Sequence, residues 1–489
     1  MKNKKSTTLY KAGRPPDDRT TGVAGHGLPV EVRGSSALYF VGKNKVWDYH
    51  EAVAPCSLTP IPEKGVGKGD GLDGNLIIHG DNLLALRSLQ PTLAGAVKCV
   101  YIDPPYNTGW GKWVYSDKIS RGGAPSWLGK LMEVESMSSR DLWLCAMTPT
   151  LHLLRTLLRD DGLVLISIDA NEMIHLALLC DEIFGEANRV GVIIVRNNPR
   201  GRRFGTELAV EHEYLLAYAK NTEKFTAGRL ALDDRRRAEY PHVDGNGKRH
   251  RLLGLRKRGA ISSRAERPNL HYPLYVNPQD KSVSAKPGKE LIEILPRRSD
   301  GSDGVWRWCG EKVERDREFL VARKVKRRSG AMEWDVFQID HLERPDGAVS
   351  GRLFPSIWQG TEFNNERGRD QLREVFGESV FDYPKPVDLV KSAILLANAR
   401  GGDIVLDCFA GSGTTCQAVM ELNALDSGGR RFIAVEREPF ADHITAERAR
   451  RLIKGIPASK RELLRKGLGG EFTYAGVACS REGGREGHG

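Results

Sequence analysis

The chain has 489 residues, 40% hydrophobic and 28% charged, which is the composition of an ordinary soluble globular protein and too long for one simple core, so two or three folding units are expected. Its net charge of +11 is unevenly spread: residues 191–330 hold 32 Lys and Arg against 18 Asp and Glu, a surplus of 14 that exceeds the balance of the whole chain. A basic middle region points to a polyanion partner whose binding weakens with salt.

Residues 1–74 are rich in Gly, Pro, Lys and Asp, with apolar islands at 37–41 and at Val46 and Trp47. An irregular arm is expected, its islands docked on the domain behind it. Leu76, Ile77, Ile78 and His79 then read as a short strand, Gly80, Asp81 and Asn82 as a turn with a helix N-cap, and 83–89 as a helix. A second strand over 96–102 completes a βαβ unit, for which a right-handed crossover in a parallel sheet is the default. Asp81 falls at the sheet edge that receives the end of this strand, where it can cap the helix or touch a cofactor.

The second strand ends abruptly in Asp103, Pro104, Pro105, Tyr106, Asn107, Thr108 and Gly109. Two prolines fix φ and remove two donors, so Asp103 and Tyr106 stand on a stiff, extended turn. Open α/β sheets bind ligands at that edge. The chemistry that needs such a turn is methylation of an exocyclic amine, a poor nucleophile because its lone pair is delocalised into the base. Asp103 can accept one N–H and the Pro104 carbonyl the other, while Tyr106 offers a stacking face for one flipped-out base. An isolated Asp-Pro-Pro is more readily a strand-terminating turn, and the rest of the chain has to decide.

A polar loop with Trp110, Trp113 and Tyr115 follows, then a helix over 142–158, a buried strand over 163–168, a helix over 173–183, and strands over 189–195 and 213–218. The alternation is α/β. From Asn197 to Arg344 the pattern is interrupted by Arg200, Arg202, Arg203, Arg235, Arg236, Arg237, Arg256 and Arg258, interleaved with Tyr240, His250, Tyr272, Tyr275, Trp306 and Trp308. Residues 311–328 read as a highly charged helix. The interruption predicts an inserted, nucleic-acid-reading domain. A helix over 361–376, an extended Pro-Lys-Pro turn at Lys385 and a helix over 387–399 lead out of it.

A strand over 403–407 ends in Asp407 and passes through Cys408, Phe409, Ala410, Gly411, Ser412 and Gly413 into a helix over 416–422. Glycines at such a turn let the backbone approach a ligand closely, and the Asp407 carboxylate can meet a cation. The next strand, 431–435, ends in Glu436, about twenty residues on, as expected of an acid that takes ribose hydroxyls. No Gly-Lys-Ser/Thr follows, so a nucleoside without a pyrophosphate fits best, and S-adenosylmethionine (AdoMet) is the common one with a methyl-donating cation. Beyond Ile453 the chain turns polar and Gly-rich, and a flexible tail is expected. The cysteines at 56, 99, 145, 180, 309, 408, 416 and 479 have neither zinc-ligand nor disulfide-framework spacing. With no apolar run of membrane-spanning length, a reduced, cytoplasmic protein is expected, without membrane contact.

With Asp103-Pro104-Pro105-Tyr106 and Phe409-Ala410-Gly411-Ser412-Gly413 both in hand, the chain resembles an amino-group DNA methyltransferase. The catalytic motif precedes the cofactor motif, which is similar to the β-class arrangement. More narrowly the chain resembles the modification subunits of type III restriction–modification systems, with further matches at 166–172, 181–185, 213–220, 306–308 and 381–386. The resemblance covers residues 75–450. It implies an α/β, Rossmann-like AdoMet-dependent methyltransferase fold with circularly permuted motif order. The implied division is an arm (1–74), a catalytic half (75–196), an inserted target-recognition domain (197–350), an AdoMet-binding half (351–453) and a tail (454–489).

By the same resemblance Asp103, Pro104, Pro105 and Tyr106 hold a target adenine. Phe409, Gly411 and Gly413 line the AdoMet pocket beside Asp407, with Asp81 at the same edge, Glu436 on the ribose and Lys385 at the methionine end. Asp at the first motif position favours adenine N6 over cytosine N4. Neither a metal nor a catalytic cysteine is expected. The implied partners are double-stranded DNA, a separate restriction subunit for cleavage and, in a class that often dimerises, a second copy of the chain. The alternatives are a cytosine-N4 or RNA amine methyltransferase and a non-catalytic DNA-binding protein on the same fold.

Overall fold

The computed structural model describes residues 37–67, 71–108, 126–131, 137–201, 207–230, 232, 237–327, 330–342 and 351–479. Gly109, Trp110, Trp113, Tyr115, Arg202, Arg203, Arg235 and Arg236 lie outside the described residues. In chain order the strands of the first half are β1 (Ser57–Pro60), β2 (Leu76–His79), β3 (Val97–Ile102), β4 (Leu158–Ile168), β5 (Arg189–Val195) and β6 (Glu213–Ala219). The interrupting region contributes β7 (His242–Val243), β8 (Arg249–Gly254), β9 (Leu274–Val276), β10 (Val283–Ser284), β11 (Ile292–Ile294), β12 (Leu320–Lys326) and β13 (Met332–His341). The chain ends with β14 (Ile357–Trp358), β15 (Ile404–Asp407), β16 (Arg431–Glu436) and β17 (Thr473–Ala478).

Ten strands form one sheet in the order β1, β17, β2, β16, β15, β3, β4, β6, β5, β14. Neighbours from β17 to β4 run parallel, whereas β6 is antiparallel to both β4 and β5. Alternate residues of the central strands enter different cores. Val164 and Ile166 pack on one face with the helices Asn82–Leu93, Ser139–Leu157 and Met173–Phe184. Leu163 and Leu165 pack on the other with Val387–Leu396 and Thr414–Asp426. A sheet covered on both faces must be apolar in both registers, which is why its strands read as continuous hydrophobic runs.

The strands of the expected βαβ unit do lie in one parallel sheet. β2 and β3 are parallel but not neighbours, because β16 and β15, from far along the chain, lie between them. The region between β6 and β14 builds two small sheets, β10–β9–β11 and β12–β13–β8–β7, around a third core with Leu274, Trp306, Val313 and Val336. The charged helix expected over 311–328 is instead a short helix, Gly310–Arg315, followed by β12, which pairs with β13 along its whole length. Only Leu320 and Ala322 carry the buried alternation of that strand, and Lys and Arg mask it in the sequence.

Both ends of the described chain are more ordered than expected. Phe40 and Val46 of the arm are buried, as their apolar islands predict, but β1 also pairs with β17 at the sheet edge. The tail supplies a helix, Glu462–Lys466, and β17, which enters the sheet between β1 and β2 with Phe472 and Tyr474 buried. Cys56 and Cys479 form a disulfide, contrary to the expectation of none; their separation of 423 residues leaves no spacing signal. Among the described residues no helix is long and apolar enough to cross a membrane, and no group of His, Cys, Asp or Glu could hold a metal ion.

Candidate active site

Four acids meet at one edge of the sheet. Asp103 follows β3, Asp407 ends β15 and Glu436 ends β16, so parallel pairing brings all three to the carboxyl-terminal edge. Glu213 is the first residue of β6, and because β6 runs against β4 its beginning reaches the same edge.

The proline turn is fixed from below. The buried Trp143 indole donates to the Pro105 carbonyl at 2.6 Å, whereas no hydrogen bond among the described residues involves the Pro104 carbonyl. Asn107 adopts φ 57°, and its amide donates to the buried Glu172 at 2.9 Å. On this base the Tyr106 hydroxyl donates to Asp103 Oδ1 at 2.8 Å and lies 3.2 Å from Glu213 Oε2. The Lys385 ammonium bonds the Tyr106 hydroxyl oxygen, donates to Glu213 Oε2 at 2.7 Å and lies 3.4 Å from Asp103 Oδ1. Lys385 comes from the Pro-Lys-Pro turn, whose backbone rests on the glycine loop: its carbonyl accepts from Thr414 Oγ1 at 3.3 Å.

The glycine turn is fixed by backbone donors. Asp407 Oδ1 accepts from the Phe409 N–H at 3.0 Å and Oδ2 from the Thr415 hydroxyl at 2.5 Å. Glu436 accepts from the N–H groups of Gly411 and Glu438, each at 2.8 Å. Gly411 and Gly413 adopt φ 51° and 78°, the left-handed region that favours glycine. A Cβ at Gly413 would lie 3.0 Å from the Thr445 carbonyl, while one at Gly411 would approach Phe381 at 3.7 Å. Beneath the loop the fully buried Arg448 donates to the Ser412 carbonyl and hydroxyl and to Thr414 Oγ1.

Asp81 caps the helix Asn82–Leu93 through Oδ1, which accepts from Leu83 and Leu84, and the adjoining Gly80 N–H donates to the Glu436 carbonyl at 3.0 Å. The capping expected of Asp81 is thus present, next to the strand end that carries Glu436. Phe409 packs on the first core. Lys385 reaches the Asp103 cluster, a contact its position in the sequence did not disclose. Glu213, Thr415 and Arg448 join the site through contacts that no motif in the sequence marks. The available signal for Glu213 was an acid opening an otherwise apolar strand.

Burial raises the carboxyl of Asp103 to about 6, with Lys385 opposing the shift and Glu213 adding to it. Burial likewise lifts Asp407 to about 7 against the bonds from Thr415 and Phe409, and Glu436 to about 7 against those from Glu438 and Gly411. For Lys385 burial works downward, but the charges of Asp103 and Glu213 outweigh it and the net shift is upward. Burial thus resists the ionisation of three carboxyls at this edge, and a cation placed beside them would favour their charged forms.

Residues 97–447 match the family model described as DNA methylase. The chain belongs to the DNA methylase family. Its α/β sheet with the glycine turn late in the chain is accordingly a methyltransferase fold. The methylase is 32% identical over 382 residues to the Mod subunit of the type III restriction–modification enzyme EcoPI of Escherichia phage P1, covering 74% of this chain and 57% of that subunit. It is 33% identical over 388 residues to the type II methyltransferase M.KpnI of Klebsiella pneumoniae, covering 78% of this chain and 86% of that protein. Against the StyLTI Mod subunit of Salmonella typhimurium it is 32% identical over 418 residues, covering 82% and 58%. The chain therefore spans less than three fifths of the length of these two Mod subunits.

Proposed function

We propose that this DNA methylase transfers a methyl group from AdoMet to the N6 amine of adenine in double-stranded DNA, in the cytoplasm, as the modification subunit of a type III restriction–modification system. The observation that carries the reading is the meeting of the proline turn and the glycine turn at one edge, where Asp103 and Glu436 are near enough to Asp407 to raise its carboxyl. In this reading cleavage belongs to a separate restriction subunit, and the methylase pairs with a second copy of itself. Residues 197–350 are the target-recognition domain between a catalytic half (75–196) and an AdoMet-binding half (351–453).

AdoMet, when bound, supplies a methyl group activated by a sulfonium centre. Asp407, Phe409, Gly411, Gly413 and Glu436 would hold it, with Glu436 on the ribose hydroxyls, Asp81 at the same edge and Lys385 toward the methionine end. The target base is flipped out at a cost of a few kcal/mol. Tyr106 stacks on it, Pro105 stiffens the turn, and Asp103 and the Pro104 carbonyl accept the two amine hydrogens. Those acceptors draw the nitrogen lone pair out of the ring, so that the amine would take the methyl as the methyl–sulfur bond breaks, with no covalent bond to the protein and with the proton shed by the amine passing to the Asp103 carboxylate. Positioned acceptors in a water-poor site account for most of the rate gain.

The test is to incubate the protein with unmethylated DNA and AdoMet, digest the DNA and identify the nucleosides by mass spectrometry. N6-methyladenine is expected. N4-methylcytosine would keep the chemistry and overturn the base; no methylated nucleoside, with AdoMet binding verified, would overturn the proposal.

A further inference from the structure

Glu213 has no task in the reaction just described, yet it is the most buried acid of the Asp103 cluster, with 5% of its side chain exposed. Its Oε2 receives Lys385, and its Oε1 is buried without a hydrogen-bond partner. Between Glu213 and Asp103 stands the Tyr106 hydroxyl, which has one hydrogen and two carboxylate oxygens in reach, at 2.8 Å on Asp103 and 3.2 Å on Glu213. In this structure the shorter contact is to Asp103. That carboxylate is the one the methylation reading assigns to the target amine, and a hydroxyl already donating to it weakens it as an acceptor.

We propose that Glu213 is a positioning residue that takes over the Tyr106 hydroxyl when the target base arrives, leaving Asp103 to the amine. The transfer is a rotation of one O–H bond, with no bond broken and no change of net charge. Without Glu213 the displaced hydroxyl would be left in a part-buried site without its acceptor, a state that folded proteins avoid. Lys385 stays bonded to the tyrosine oxygen and to Glu213, so the hydroxyl keeps its position while its hydrogen changes partner. The antiparallel course of β6 gives Glu213 this place, since only a strand entering at the carboxyl edge presents its first residue there. The inference rests on the methylation reading and deepens it.

The test is a double-mutant cycle with Glu213→Gln and Tyr106→Phe, reading kcat and the KM for DNA per AdoMet-binding site titrated in each preparation. In the presence of the tyrosine, E213Q should lower kcat/KM for DNA about 10-fold or more, the order expected for a hydrogen bond to a charged group, and leave AdoMet affinity unchanged. In the Y106F background the same change should cost less than about 3-fold, since the hydroxyl through which it acts is gone. Equal losses in both backgrounds, or no loss in either, would overturn the inference. If E213Q yields no AdoMet-binding protein, E213D, which keeps the charge and withdraws it by one methylene, takes its place with the same expectations. An inactive parent protein would instead overturn the methylation reading, so the two failures are distinguishable.

Discussion

The carboxylates of the glycine turn and of the proline turn occupy one sheet edge but are held by different means. Asp407 and Glu436 accept mainly from backbone N–H groups, at Phe409 and Gly411 of the glycine loop and at Glu438 just past the strand that Glu436 ends. Asp103 is held by side chains, the Tyr106 hydroxyl and the Lys385 ammonium. A carboxylate bound to backbone cannot give up its donors without moving the chain, so it shapes a pocket. One bound to side chains can exchange its donor for a substrate hydrogen after a torsional change. On the proposed reading, the part of the site that would bind is built stiff, and the part that would react is built to exchange partners.

The largest effect should come from the exchanging side. Asp103→Ala is expected to lower kcat for methyl transfer by about 10²- to 10³-fold or more while AdoMet and DNA affinities stay within a few-fold. Single-turnover rates beside calorimetric binding check this, and parallel loss of binding and rate would erase the contrast. On the stiff side the reverse holds: Asp407→Ala removes the acceptor for Phe409 and Thr415 and should weaken AdoMet binding about 10- to 100-fold. Calorimetric AdoMet affinity equal to that of the parent would show that the loop needs no such support.

Arg448→Met leaves the Ser412 carbonyl and Thr414 hydroxyl without their buried donor, at a cost on the order of 1–3 kcal/mol of unfolding free energy in urea. AdoMet affinity should fall with it, because the loop is then held from one side only. A stability unchanged from the parent would mean that the loop does not depend on this buried cation.

The smallest effect is on pH dependence. Asp407 and Glu436 stand near 7 in the folded chain, against 3.8 and 4.5 without it, so the folded state binds their protons more tightly. Stability linked to these groups is full below about pH 4 and is lost as pH rises through about 7. The urea midpoint of the unliganded protein should decline across that window, and less steeply in Glu436→Gln; identical slopes would remove Glu436 from the account. Asp103, raised to about 6, must be ionised to accept the amine, so kcat/KM should fall as pH drops through about 6.

Much of the reactive chemistry is readable from short stretches because local rules dictate it. Consecutive prolines stiffen the turn after Asp103, glycines at positive φ make the loop after Asp407, and Glu436 closes the next apolar strand. Each of these depends on residues within about ten positions of one another, where dihedral limits and strand or helix periodicity act. Glu213 and Arg448 carry no such mark, and the prolines that flank Lys385 mark its turn but not the carboxylates it meets, because what defines these residues is the neighbour.

The sequence by itself thus determined the two turns, the alternating α/β character, the interruption between them and the family to which they point. Only the tertiary structure decided that β16 and β15 lie between β2 and β3, that β6 runs backwards and delivers Glu213 to the reactive edge, and that the end of the chain returns as β17 beside β1 with Cys56 and Cys479 joined. Strand neighbours are chosen by hydrogen bonds between segments hundreds of residues apart, and any apolar strand can make those bonds with any other. The choice is settled by packing of the whole sheet against its two cores, which no local pattern records.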